Sequence, residues 1–134
     1  MANSNTTLVE ISPGELIDKI TILEIKAERI ADDGKLANVR YALDRLSETR
    51  VATLAMSPEL KRLWEELGTV NLALWEIEDD IRQCEAKQDF GPRFIELARA
   101  VYRTNDRRAA IKKEIDLLFG SAMTDEKSYE TYEA

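Results

Sequence analysis

Histidine is absent from the 134 residues, and cysteine occurs once, at Cys84. The first absence removes the commonest general base, the commonest metal ligand and every Ser-His or Cys-His nucleophile pair. The second excludes an internal disulfide and a multi-cysteine zinc site, so neither a metal nor a cofactor is expected. Cys84 itself is read as a core residue, since no activating base accompanies it. Five glycines and three prolines are too few to break the chain often, which implies a few long elements. No apolar run reaches the length of a membrane span, and the polar start Met1–Thr7 lacks a signal-peptide core. Lysine and arginine number 19 against 26 acids, a net charge of -7, which argues against wrapping a nucleic-acid backbone. The expectation is a cytoplasmic protein that binds neither nucleic acid nor membrane.

What is present is helical. With 44% apolar and 34% charged residues, 134 residues suit a single helix-rich domain that buries its own core. Between Ser57 and about Gln88 a heptad repeat runs through four periods. Leu60, Leu67, Leu74 and Ile81 share one track, and Leu63, Val70, Ile77 and Cys84 the other, the a/d seam of a long helix laid against partners. Trp64, Asn71, Glu78 and Glu85 flank that seam and turn polar after the tryptophan.

Around this stretch the chain reads in order. Residues 1–11 form an extended N-terminal strap, with Leu8, Val9 and Ile11 as its apolar part. Ser12, Pro13 and Glu15 give a capping-box start to a helix over about 13–32, apolar on two sides and therefore the most enclosed. Asp32-Asp33-Gly34 ends it, with Gly34 as a left-handed C-cap. A second helix covers about 35–54. Ser57-Pro58 opens the third, 58–88, in which Gly68 implies a close backbone approach. The fourth runs over 92–119 and stops at Gly120. Residues 121–134 form an acidic tail, either frayed or a short docked helix after Thr124. Short connections make sequential helices antiparallel neighbours. The predicted fold is all-α, an up-down-up-down four-helix bundle with a long, coiled-coil-like second hairpin.

The segment SPGELIDKITILEIKAERI (12–30), with VYRTNDRRAAIKKEID (101–116) and EKSYETY (126–132), resembles an uncharacterised bacterial family of short all-helical proteins, a domain of unknown function. That resemblance makes the first two segments defining elements and implies no activity. The first helix also resembles that of helical chorismate mutases. Glu76-x-x-Asp79 is similar to half of the magnesium motif of all-α nucleotide pyrophosphatases, whose other half is missing because Thr69 stands three after Glu66.

Two surfaces and one layer are the candidates for function. The longer hairpin protrudes by roughly 15 Å at 1.5 Å per residue; Ile81, Phe90, Phe94, Leu97 and Val101 would form an apolar patch there, wet in a monomer and covered in a homodimer. Arg99, Arg103 and Arg107 form an i, i+4, i+8 row able to dock an acidic protein partner, although such rows are more often solvated outer faces. Glu24, Asn71 and Arg108 fall at similar heights, each interrupting an apolar stripe, with Thr104 and Asn105 one turn away. Buried charge demands a partner, so Glu24 and Arg108 are expected to pair. As a site, the layer would take a small polar or anionic ligand on Arg108; as scaffold, it would fix bundle register. The acidic run Glu76, Glu78, Asp79 and Asp80 spreads around the helix and reads as solvated rather than metal-binding. The leading reading is a non-catalytic helical interaction or assembly module acting as a homodimer. The alternative is a small-molecule binding protein or enzyme built on the Glu24/Arg108 layer.

Overall fold

A computed structural model describes residues 5–124 and 126–132. Met1–Ser4, Asp125, Glu133 and Ala134, which belong to the expected strap and tail, lie outside the described residues. Among those described there are four helices and no strand: α1 (Pro13–Arg29), α2 (Asp33–Thr53), α3 (Pro58–Ala86) and α4 (Pro92–Leu118). Among the described residues no helix is long and apolar enough to cross a membrane.

The helix ends follow from local chemistry. Ser12 Oγ accepts the Glu15 N–H at 3.2 Å, Ser57 Oγ the Leu60 N–H at 3.1 Å and Asp32 Oδ2 the Lys35 N–H at 2.9 Å. Each satisfies a donor that the first turn leaves orphaned. Only half of the expected capping box forms, because the Glu15 carboxylate turns to Lys112 Nζ at 2.7 Å. Asp32 also moves a boundary. By capping α2 it starts that helix at Asp33, so Gly34 sits in the first turn of α2 rather than closing α1, which ends at Arg29. Gly120, with φ 61°, does take the left-handed position after α4.

α1 is the hub, as its two apolar sides predicted. It packs on α2, α3 and α4, and α3 packs along α4; α2 meets α3 only through side chains such as Arg50, which lies over the Trp64 ring at 5.7 Å. The core joins Leu16, Ile17 and Ile20 of α1 to Leu60, Leu63, Leu67 and Val70 of α3 and Ile111 and Ile115 of α4. The heptad seam of α3 is thus its buried face at the base of the bundle, where hydrophobic burial drives the assembly.

Two features set the height of α1. A Cβ on Gly14 would fall inside contact distance of the Lys112 carbonyl oxygen, so α1 and α4 touch backbone to backbone here. Asp116, fully buried, accepts the Gly14 N–H at 2.7 Å, placing a carboxyl at the positive end of α1. The close approach is therefore at Gly14. At Gly68, where the sequence implied one, an added Cβ would meet nothing within 4 Å.

The extra length of α3 and α4 is shared between both ends of the bundle. Gly14 lies level with Lys112, which leaves Lys113–Leu118 below the start of α1. Arg29 then falls level with Leu97, and α4 runs on for five residues beyond it. That overhang is about 8 Å at 1.5 Å per residue, shorter than the sequence implied. The apolar residues in and just below it are mostly covered: Leu97 and Cys84 are buried, Ile81, Phe94 and Val101 are half-buried, and the Phe90 ring stands edge-on to Phe94 at 5.2 Å. Phe90 and Ile95 remain exposed.

The tail neither frays nor forms a helix among its described residues. It returns along α4, with Lys113 pairing with Glu126 at 3.3 Å, Tyr132 donating its hydroxyl to Asp106 at 2.9 Å and its ring against Tyr102 at 5.0 Å.

Candidate functional site: a buried carboxylate-arginine layer beside a cleft

On α1, Gly14, Asp18, Thr21 and Ile25 recur at intervals of four, three and four, which places them on one face. The backbone contact at Gly14 aims that face at α4. Asp18 lies four residues after Gly14 and Arg108 four before Lys112, so the two come level. Glu24, six residues further along α1, is instead level with Tyr102. It is exposed and accepts the Trp64 indole N–H at 3.1 Å.

The partner of Arg108 is thus Asp18, not Glu24. Arg108 Nε donates to Asp18 Oδ1 at 2.9 Å and Nη2 to Oδ2 at 2.5 Å, a bidentate pair of the strong, directional kind. The Asp18 side chain is 1% exposed and that of Arg108 29%. Asn71 Nδ2 donates to Asp18 Oδ1 at 2.9 Å and to Thr21 Oγ1 at 2.8 Å, and Thr21 returns its hydroxyl hydrogen to the Asp18 carbonyl at 2.8 Å. Arg108 Nη1 reaches the Asn105 side-chain oxygen at 3.5 Å. Every oxygen of the Asp18 carboxyl is used, as a charge buried this deeply requires.

Burial by itself would raise the Asp18 pKa. Hydrogen bonds from Arg108 and Asn71, with the positive charges of Arg108 and Lys112, outweigh it and hold the carboxyl below its ordinary value. The folded pKa being the lower, Asp18 stabilises the fold above its unfolded value of about 3.9 and loses that contribution as pH falls through the folded one. Urea midpoints measured from pH 7 downward are expected to fall below about pH 4, with a shallower decline in Asp18→Asn. A decline of equal steepness in both proteins would remove Asp18 from the acid response.

Arg108, Asn71 and Asn105 also line the lower end of a cleft of about 460 Å³ between α1, α3 and α4. Ile22, Ile25, Leu74, Trp75 and Val101 form its apolar walls, and Glu78, Asp79 and Arg82 its far end. Its volume and its mostly apolar lining with a few convergent polar groups match small-molecule sites in general. Chemically, the floor offers a held guanidinium beside the Asn105 carboxamide, a donor set suited to a carboxylate or phosphate. Among the described residues no group of acids is arranged to hold a metal ion.

Of the five layer residues expected from sequence, Asn71, Asn105 and Arg108 come together, whereas Glu24 lies outside and Thr104 is half-buried away from the cleft lining. Asp18, Thr21 and Trp75 were missed. The signal for the first two was the face they share with Gly14, since a glycine in an apolar helix marks where another backbone comes close. In the arginine row, Arg107 pairs with Glu66 at 3.4 Å and Arg99 with Glu96 at 3.8 Å. Two of the three are thereby engaged within the chain.

A family model described as a family of unknown function (DUF6165) matches residues 7–133. No curated protein and no solved structure matches the chain.

Proposed function

We propose, for a chain that belongs to this family of unknown function, that it binds a small organic anion with an apolar body in the cleft beside Arg108. The observation that carries this reading is the coincidence of a guanidinium fixed by a buried carboxylate with a cleft of about 460 Å³ at its open side. A pair that only set register would be served equally well under a closed surface. Asp18 orients the guanidinium before ligand arrives, so little ordering entropy remains to oppose binding. Asn105 adds a neutral carboxamide donor, and Trp75 with the aliphatic walls takes the apolar body.

The test is a thermal-shift panel of hexanoate, benzoate and phenyl phosphate on the wild type and on Arg108→Met. At a concentration near 100 times Kd, a ligand that binds only the folded state adds about 2.7 kcal/mol. An upward shift is expected for the wild type and none for the variant. No shift for any member of the panel on the wild type would defeat the reading.

A second reading is that the chain also works as a homodimer through the overhanging tip. The exposure of Phe90 and Ile95 at the loop end supports it, because aromatic and aliphatic groups left wet together are the usual core of an interface. Sedimentation equilibrium at micromolar concentration is expected to give twice the chain mass, reduced to one chain mass by Phe90→Asp. A wild type that stays monomeric would end this reading while leaving the cleft untouched.

A further inference from the structure

On α3, Asn71, Trp75, Glu78 and Arg82 recur at intervals of four, three and four, so one face of the helix lines the cleft from floor to rim. The two ends of that line differ in charge. At the floor stands Arg108, level with Asn71 because both bond the same Asp18 oxygen. At the rim stand two carboxylates, Glu78 and Asp79, against one guanidinium; Arg82 spends its charge on Glu78 at 3.2 Å, and Asp79 faces the cleft as a second acid. Seven to eight residues separate the ends, about 11 Å at 1.5 Å per residue. Everything between them is apolar: Ile22, Ile25, Leu74, Trp75 and Val101.

From this polarity we infer that the cleft selects an elongated zwitterion, with its anionic end on Arg108, its ammonium end at Glu78 and Asp79, and an apolar middle. The inference rests on the anion-binding reading above and adds the second charge and the length. A chain of three amino acids spans about 10 Å when extended, so a short apolar peptide with free termini meets both requirements. An unbranched ω-amino acid of similar length carries the same charges without peptide groups. A compact amino acid is too short to reach both ends.

Calorimetric titration of the wild type with four probes tests this: trileucine, its N-acetyl derivative, 8-aminooctanoate and leucine. Trileucine or 8-aminooctanoate is expected to bind at least about tenfold tighter than the acetylated peptide and than leucine, the loss of a charge-assisted contact being of that size. The preference over the acetylated peptide should collapse in Asp79→Asn, a change on the exposed face of α3 that leaves the buried layer intact. Tighter binding of trileucine than of 8-aminooctanoate identifies a peptide as the ligand; the reverse identifies an ω-amino acid. Equal affinity for trileucine and its acetylated form would overturn the inference and leave the anion site standing. Failure of all four probes, together with hexanoate, would overturn both.

Discussion

Arg108→Ala is expected to destabilise the protein by about 3 kcal/mol, the lower part of the range for breaking a buried pair, since the arginine is partly exposed with 29% of its side chain accessible. The loss comes from what remains. Asp18 would remain buried at 1% exposure, keeping Asn71 and the distant charge of Lys112 but losing both guanidinium bonds. Against a total stability of about 5–15 kcal/mol for a domain this size, that is a large fraction. Arg108→Met should recover only the packing of the arginine stem. The double change Asp18→Leu with Arg108→Met removes the stranded charge as well, and apolar replacement of a whole buried pair is frequently near neutral. Urea unfolding of Asp18→Leu, Arg108→Met and the double variant is therefore expected to show a strongly favourable coupling in the double-mutant cycle. Additive losses would mean that the two side chains do not act as a pair.

Gly14→Ala is expected to cost about 3 kcal/mol or more, combining overpacking with an orphaned buried acceptor. The new methyl group would collide with the Lys112 carbonyl and crowd Asp116 Oδ1. Neither can swing aside: one is helix backbone, and the other is fully buried and bonded to the Gly14 N–H. α1 would have to lift off α4, stretching that bond and the level match of Asp18 with Arg108. Gly68→Ala is the control. It lies within α3 with open space around the added carbon, so it should gain about 1 kcal/mol through helix propensity alone. Thermal melts of the two variants should move in opposite directions, the first by roughly 10 °C downward. Similar small shifts for both would contradict the backbone contact that sets the height of α1.

The sequence carried α1 and α3 well because both begin with an explicit signal. Ser12-Pro13 and Ser57-Pro58 cap and start α1 and α3, and the heptad track of α3 names its buried side from Leu60 to Val70. It carried the vertical fit poorly. Aligning helices from a common end treats them as flush, whereas Gly14 seats α1 six residues above the end of α4. That offset replaced Glu24 by Asp18 as the partner of Arg108. It also shared the expected overhang between two ends, so the tip is smaller than the helix lengths suggested. Arg108 and Asn71 were legible because each interrupts an apolar stripe, and Asn105 because it lies one turn from Arg108; the place of Asp18 on the Gly14 face gains meaning only once the backbone contact is known. The tail shows another limit, as Tyr132 reaches Asp106 and Tyr102 through a return path that no periodicity encodes.

The most direct examination of the cleft is by side-chain nuclear magnetic resonance. Wild-type protein labelled with ¹⁵N would be titrated with hexanoate while the Arg108 Nε–H and the Asn71 and Asn105 carboxamide signals are followed. Saturable movement of the Arg108 and Asn105 signals, with the Trp75 indole moving at the same midpoint, is the result predicted for an anion seated in the cleft. Signals that stay fixed at these residues, or that drift without saturating as they would for salt alone, would contradict it.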